Sequence, residues 1–358
     1  MNLILQKINN NKNIYKNMLN NIERKIVLKK IFSFLQKKML FKILKYNKKL
    51  IDKLNLEKEF NDYKIIKELN INYRKYLFYP DDSDAFVFDF RKSQTGNKIF
   101  NYLSKIQFNE LINLNISENE ITDIEELKNC NFRNLEILDL GGNKISDINI
   151  LAKVKYYKLK HLNLKYNAIS NINILEKVLF LNLEQLILNY NQISDINILE
   201  RVNFPKLKYL NLSYNKISDI KVLEKVNFVK LSDLDLEGNQ IKDISILEKV
   251  NFPILFYLAL GNNKIKEINV LAKVKFVKLK ELYLERNEIN DINSLEKVNF
   301  EELNCLCLNE NKISNLKIFE KIRFINLETL DLRDNDINEE ENSPIIQNLS
   351  ANVKEFFI

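Results

Sequence analysis

The chain of 358 residues is poor in glycine, proline, cysteine, histidine and tryptophan. It contains five Gly, four Pro, three Cys, one His and no Trp. So little Gly and Pro argues against a turn-rich β-sandwich and against a low-complexity linker protein. The three cysteines, Cys130, Cys305 and Cys307, are too few for a disulfide framework, which points to a reducing compartment. The single histidine, His161, lies six copies of the repeat described below from the cysteine pair, so we expect no metal and no cofactor.

Long apolar runs are also missing. No stretch approaches the roughly 18 apolar residues of a membrane span, so we expect no transmembrane segment. The first residues, MNLILQKINNNKNIYKNML, have a short apolar run and no small-residue cleavage site, so we expect no secretory signal. Together with the few cysteines, these observations predict a cytoplasmic protein, with the nucleus left open.

Positive charge is concentrated at the start of the chain. Residues 1–80 contain 19 Lys and Arg against 6 Asp and Glu, a balance of +13. The whole chain has +7, which leaves −6 for the remaining 278 residues. The two parts are therefore treated as separate units.

From residue 111 onward, one pattern recurs every 24 residues without insertion. Leucine occupies position 1 of ten copies, from Leu111 to Leu327, and Leu or Ile follows at positions 4 and 6. Isoleucine occupies position 11, from Ile121 to Ile337. Asparagine occupies position 9 of every copy: Asn119, Asn143, Asn167, Asn191, Asn215, Asn239, Asn263, Asn287, Asn311 and Asn335.

Each copy is expected to contain a short strand, a turn and a short helix. Positions 4 and 6 alternate as on a strand, with both side chains directed inward. The position-9 Asn turns the chain, and its amide can bond backbone groups of the turn in a ladder that runs through the copies. Asn or Ser at position 15 with Glu at position 18, as in Asn197 and Glu200, predicts a capping box at the helix start. One copy cannot bury its apolar side chains alone, so the copies must stack.

This pattern resembles the leucine-rich-repeat family, whose core is L-x-x-L-x-L-x-x-N-x-I. The Ile-x-Asp-Ile that follows the Asn is most similar to the internalin-like and phosphatase-regulatory types. The copies here are about two residues longer than in those types, and the extra residues lie in the segment LEKVNF. The resemblance implies an α/β leucine-rich-repeat solenoid, with a curved parallel sheet on the concave side and short helices on the convex side.

The variable positions 2, 3, 5, 7 and 8 are predicted to line the concave face. They carry thirteen acidic and six basic residues, and seven aromatic residues fall in copies three to eight. Exposed aromatics beside acidic residues are typical of protein-recognition surfaces. The predicted partner-binding residues are Tyr166, Tyr190, Tyr209, Tyr214, Asp233, Asp235, Glu237, Phe256, Tyr257, Glu281, Tyr283, Glu285 and Arg286.

The ten copies, residues 111–337, are expected to lie between two caps. Residues 81–110 form the predicted N-terminal cap, with Leu103 and Phe108 at positions 17 and 22 of an incomplete copy. Residues 338–358 form the predicted C-terminal cap, with a helix that starts at Ser343-Pro344. Residues 14–79 have helical apolar spacing, so residues 1–80 are predicted to be a basic helical region.

These observations predict a non-enzymatic, monomeric protein that binds another protein on the concave face. The partner should offer a basic and apolar epitope, and the acidic face makes nucleic acid an unlikely ligand there. Two alternatives depend on residues 1–80. The first is an adaptor for a ubiquitin ligase, since a helical hairpin ahead of such repeats is similar to F-box proteins, although the motif's Leu-Pro and Trp are missing. The second is a binder of nucleic acid or anionic surfaces.

Overall fold

The computed structural model describes residues 68–70, 100, 103, 104, 108–322 and 324–358. The chain divides into two compact units, and all described residues belong to the second. The basic helical region predicted for residues 1–80, with its F-box-like or anion-binding role, lies outside the described residues except at 68–70.

Twelve parallel strands form one sheet in this part of the chain, and they follow one another in chain order. Leu186 pairs with Leu210, and Leu210 pairs with Leu234, so neighbouring strands are in register at the 24-residue interval. The sheet confirms the predicted α/β repeat solenoid. The strands are β1 (Glu68–Asn70), β2 (Asn113–Asn115), β3 (Ile137–Asp139), β4 (His161–Asn163), β5 (Gln185–Ile187), β6 (Tyr209–Asn211), β7 (Asp233–Asp235), β8 (Tyr257–Ala259), β9 (Glu281–Tyr283), β10 (Cys305–Cys307), β11 (Thr329–Asp331) and β12 (Glu355–Phe357).

The predicted short helices are 3₁₀-helical turns of four or five residues. They span Glu125–Asn129, Asn149–Ala152, Asn173–Lys177, Asn197–Glu200, Lys221–Glu224, Ser245–Glu248, Asn269–Ala272, Asn293–Lys297 and Lys317–Glu320. The predicted capping box is wrong, because the turn already begins at position 15 and its box residues lie inside it. The residue at position 13 does the capping instead: Asp195 Oδ1 accepts a hydrogen bond from the backbone N–H of Asn197 at 2.8 Å.

The core is a set of apolar columns that run through the stack. Leucines at positions 1, 4 and 6 and isoleucine at position 11 are almost fully buried, as are most aromatic residues at position 22. The rings of Phe108 and Phe132 lie 6.0 Å apart, and those of Phe132 and Tyr156 lie 6.1 Å apart. Each copy therefore completes its packing only against its neighbours.

The position-9 asparagines connect each turn to the preceding one. The Asn215 side-chain amide lies 3.0 Å from the carbonyl oxygens of both Leu188 and Leu212, and 3.1 Å from that of Ser213. Its Oδ1 accepts a hydrogen bond from the backbone N–H of Ile193 at 2.9 Å. The same contacts recur in the central copies, so buried turn groups that strands cannot reach still find partners.

Strand β1 corrects the helix predicted over residues 14–79 at residues 68–70 alone, since the rest of that segment lies outside the described residues. Its backbone pairs in parallel with β2, with Leu69 opposite Leu114. A strand of three residues is too short to show an alternation of apolar and polar side chains, so the sequence pattern did not reveal it. Phe100, Leu103 and Phe108, which belong to the predicted N-terminal cap, are buried, and most of that predicted cap lies outside the described residues.

The other end of the sheet is closed by helix α1 (Glu339–Asn352) and strand β12. The helix begins four residues before the predicted start at Ser343, because the Asn338 side chain caps the N–H groups of Glu340 and Glu341. Pro344 lies inside the helix rather than at its first position. Strand β12, which the sequence analysis did not anticipate, pairs in parallel with β11.

Candidate functional site

The sheet face, meaning the side of the sheet that points away from the core, is the surface predicted to be concave. Positions 3 and 5 of each copy form it, and the residue between them is buried, as in Asp233–Leu234–Asp235. Phe256, at position 2, borders this face with 36% of its surface exposed. Six predicted binding residues lie on the strands of the face: Tyr209, Asp233, Asp235, Tyr257, Glu281 and Tyr283.

The remaining predicted residues lie in the turn that follows each strand. The backbone φ angle at position 8 is positive in all ten copies, which ends the strand there. A positive φ costs a non-glycine residue about 1–2 kcal/mol, so the turn must be held by its neighbours. Positions 7 and 8, which were predicted to line the concave face, therefore belong to the turn and not to the strand. These turn residues are Glu237 and Glu285 at position 7, and Tyr166, Tyr190, Tyr214 and Arg286 at position 8.

Tyr166, Tyr190 and Tyr214 form what we call the tyrosine stack. Ring centroids lie 4.1 Å apart in the first pair and 4.4 Å apart in the second, with interplanar angles of 12° and 5°. The stack ends at Gly238, where a Cβ atom would lie 2.6 Å from the Tyr214 ring. Tyr166 is 50% exposed and Tyr190 36%, so a large aromatic surface remains open to solvent.

Carboxylates and tyrosines alternate beside the stack, in what we call the acid–tyrosine patch. Its members are Tyr209, Asp233, Asp235, Glu237, Tyr257, Glu281, Tyr283 and Glu285. Tyr214 Oη donates a hydrogen bond to Glu237, and this bond is the main reason that the pKa of Tyr214 is raised. Tyr283 Oη donates to Glu281 at 2.9 Å.

Glu285 is the most constrained carboxylate of the patch. Its side chain folds over Gly261, where a Cβ atom would lie 2.6 Å from the Glu285 Cδ. Its Oε2 is buried without a hydrogen-bond partner among the described residues. Burial raises the pKa of Glu285, and the charges of Glu237 and Asp235 raise it further. Burial also raises the pKa of Asp235.

Several carboxylates outside the patch have an ion pair at short distance. Glu136 pairs with Lys160 at 2.8 Å, Glu184 with Lys208 at 2.8 Å, Glu310 with Arg286 at 2.7 Å and Asp331 with Arg333 at 2.5 Å, whereas Asp139 on β3 has none within the described residues. None of the five patch carboxylates has an ion pair within the described residues. The patch therefore holds acidic groups that lack a cationic partner.

The sequence analysis missed the small residues that shape the patch. Ala259 and Gly261 occupy positions 5 and 7 of copy seven, where copy six has Asp235 and Glu237. Ala259 is almost fully buried, and the Glu285 side chain covers Gly261. A column-by-column comparison of side-chain size would have found these two small residues, whereas the count of charges and aromatics did not.

No group of three or more His, Cys, Asp or Glu within the described ranges is suited to hold a metal ion. In the same part of the chain, no helix combines the length and the apolarity that crossing a bilayer requires.

Comparison with known proteins agrees with this geometry. A family profile described as "Leucine Rich repeats (2 copies)" matches residues 109–153, 181–225 and 205–249, and one described as "Leucine Rich Repeat" matches residues 326–349. No curated protein matches the chain in sequence.

Two solved structures illustrate the similarity. An internalin from Listeria monocytogenes is 29% identical over 76% of each chain, with a TM-score of 0.57. A leucine-rich-repeat protein of Leptospira interrogans shares the fold at 22% identity, over 70% of this chain and 73% of its own, with a TM-score of 0.52. The 24-residue repeat, its asparagine ladder, the family profiles and the similarity to an internalin together support a leucine-rich-repeat family for this chain.

Proposed function

We propose that this protein acts by binding rather than by catalysis, and that it holds a partner protein against the acid–tyrosine patch and the tyrosine stack. The leucine-rich-repeat solenoid is a fold that suggests a protein-binding scaffold. The observation that carries the proposal is the set of five patch carboxylates without an ion pair in the described chain, next to exposed tyrosine rings. A cytoplasmic location and a monomeric state stay predictions from the sequence.

The carboxylates favour a partner that offers arginine or lysine. A buried acceptor without a donor, such as Glu285 Oε2, carries a desolvation cost that a bound cation would remove. A guanidinium group can donate several hydrogen bonds at once, which suits it to the carboxylates of Glu285 and Asp235. The same negative charges repel the phosphates of nucleic acid.

The tyrosines favour an apolar or planar group next to that cation. Aromatic rings with exposed faces bury much area at little cost in side-chain entropy, which is why tyrosine is frequent among binding hot spots. Phe256 already holds Lys280 over its ring at 5.2 Å, so this face accepts a cation on an aromatic surface. The epitope we propose is therefore a basic residue beside an aliphatic or aromatic one.

Peptide selection tests the proposal, because a random library presents the proposed epitope in many sequence contexts. The library is selected on the immobilised full-length protein, and the affinity of the enriched peptides is measured by calorimetry. We expect Arg or Lys next to an apolar residue. The double variant Tyr190→Ala, Tyr214→Ala should weaken binding by about 2 kcal/mol or more, roughly 30-fold. Asp233→Lys with Asp235→Lys should slow association and reduce its salt dependence.

The matched control carries two charge reversals away from the sheet face. Glu301→Lys with Glu320→Lys gives the same net charge as the patch variant, and both residues are exposed outside the strands. Equal effects from the two charge variants would mean that net charge alone governs binding. Unchanged affinity in both the tyrosine and the aspartate variants would reject the sheet face as the binding surface.

A further inference from the structure

Strand β10 carries two thiols side by side at the edge of the acid–tyrosine patch. Cys305 and Cys307 lie at positions 3 and 5, both half-buried on the sheet face, with their Sγ atoms 3.8 Å apart. Glu281 and Tyr283 are their register neighbours on β9. Neither thiol belongs to the binding surface proposed above. Two adjacent thiols on one strand can be oxidised to a disulfide.

The spacing permits a bond between the two sulfurs, but only under strain. Alternate residues on a parallel strand are about 6.6 Å apart at Cα. Disulfides span Cα separations of about 4.4–6.8 Å, so this pair lies at the upper limit. A disulfide formed at that limit is more easily reduced than a structural one, which makes the pair suited to reversible chemistry.

The two thiols are not equivalent. The hydrogen bond between the two sulfurs lowers the pKa of Cys305, and a contact with the Tyr283 hydroxyl acts in the same direction. The same pairing, with burial, raises the pKa of Cys307. Cys130 has no second thiol beside it, and burial raises its pKa to about 12. Cys305 is thus the better nucleophile of the pair, and Cys130 serves as an internal comparison.

We propose that Cys305 and Cys307 form a dithiol site that undergoes thiol–disulfide exchange with small-molecule disulfides and closes to a disulfide within strand β10. The Cys305 thiolate attacks one sulfur of the small disulfide, a mixed disulfide forms, and the first small thiolate leaves. The Cys307 thiolate then attacks the Cys305 sulfur, the protein disulfide forms, and the second small thiolate leaves. The two cysteines lose two electrons, the small disulfide gains them, and two protons are released to the departing thiolates.

The charges around the site determine which disulfides react well. Glu281 and Glu285 act on Cys305, and Glu285 and Asp331 act on Cys307, so three carboxylates surround the pair. Of these three carboxylates, Asp331 alone has an ion pair within the described residues, with Arg333. A cationic disulfide such as cystamine is therefore attracted to the site, whereas an anionic one such as glutathione disulfide is repelled.

Mass spectrometry of the full-length protein tests the proposal. Tryptic cleavage after Lys297 and Lys312 leaves both cysteines on one peptide, residues 298–312, so closure appears as the loss of two hydrogen atoms. We expect closure with cystamine roughly tenfold faster than with glutathione disulfide at low salt, and a smaller ratio at high salt. Cys307→Ser should stop the reaction at a mixed disulfide on Cys305. The background variant Cys130→Val removes the third thiol and places there the residue that most copies have at that position.

Three results would overturn the proposal. The first is stable mixed disulfides on both cysteines of the wild-type chain without closure. The second is reaction at Cys130 as fast as at Cys305. The third is a rate with glutathione disulfide equal to that with cystamine at low salt, which would reject the assigned ligand class.

Discussion

Replacement of Asn215 by leucine isolates the contribution of one rung of the asparagine ladder. Leucine has nearly the shape of asparagine, so the substitution removes hydrogen-bonding groups without leaving a large cavity. The backbone N–H of Ile193 loses the Oδ1 that it contacts at 2.9 Å. The carbonyl oxygens of Leu188 and Leu212 each lose one donor and retain another, from Asn191 and Asn239 respectively.

The expected loss follows from these partners. A buried N–H without an acceptor costs about 1–3 kcal/mol, and each carbonyl that loses one of two donors adds up to about 1 kcal/mol. The larger apolar surface of leucine returns part of this, so we expect a net loss of about 2–4 kcal/mol in the free energy of unfolding. Urea titration followed by far-UV circular dichroism measures the total.

Hydrogen exchange locates the effect. The amide of Ile193 should exchange much faster in the variant, while amides several copies away should be unchanged, since each rung joins only adjacent turns. Asn203→Leu is the control, because Asn203 is an exposed asparagine in the preceding loop and its replacement should change stability by less than about 0.5 kcal/mol. Unaltered exchange at Ile193, or an equal loss in both variants, would refute the argument.

Three further substitutions test other parts of the structure. Gly238→Ala should lower the free energy of unfolding by about 1–2 kcal/mol in a urea titration, because its φ is +65° and a Cβ would press on the Tyr214 ring. Burial raises the pKa of Glu285 above its ordinary value of 4.5, so the stability of the wild-type protein falls as the pH rises from 4.5 through the raised pKa. Glu285→Gln removes the charge, so it should increase Tm at pH 7, and this gain should vanish below pH 4.5. Asp195→Ala should cost about 1 kcal/mol by chemical denaturation, whereas Glu200→Ala, which the discarded capping box would make equally damaging, should cost less than about 0.5 kcal/mol.

The sequence predicted the stack well because its period is strict. Leucine or isoleucine at positions 1, 4 and 6 of ten successive copies has one arrangement that buries all of these side chains, and that arrangement is the observed sheet. The capping of the 3₁₀ turns was not predictable in the same way. Asp195 and Glu200 are both residues that cap turns, and only the backbone shows that the turn begins between them.

The candidate site was predicted in part. The register of a parallel sheet predicts that Tyr166, Tyr190 and Tyr214 lie about 5 Å apart, and the rings are slightly closer. The counts of acidic and basic residues could not show which carboxylates are neutralised, since that depends on the reach of side chains between copies. Lys208 reaches Glu184, whereas no cation among the described residues reaches Asp233.

The tyrosine stack has an optical consequence. Three nearly parallel phenol rings at 4.1 and 4.4 Å are close enough for their electronic transitions to couple, which produces an exciton band in the near-ultraviolet spectrum. The chain contains no tryptophan, whose absorption and emission would otherwise dominate that region. A molecule that covers Tyr166 or separates the rings changes this band, so occupancy of the sheet face can be followed in solution without a dye.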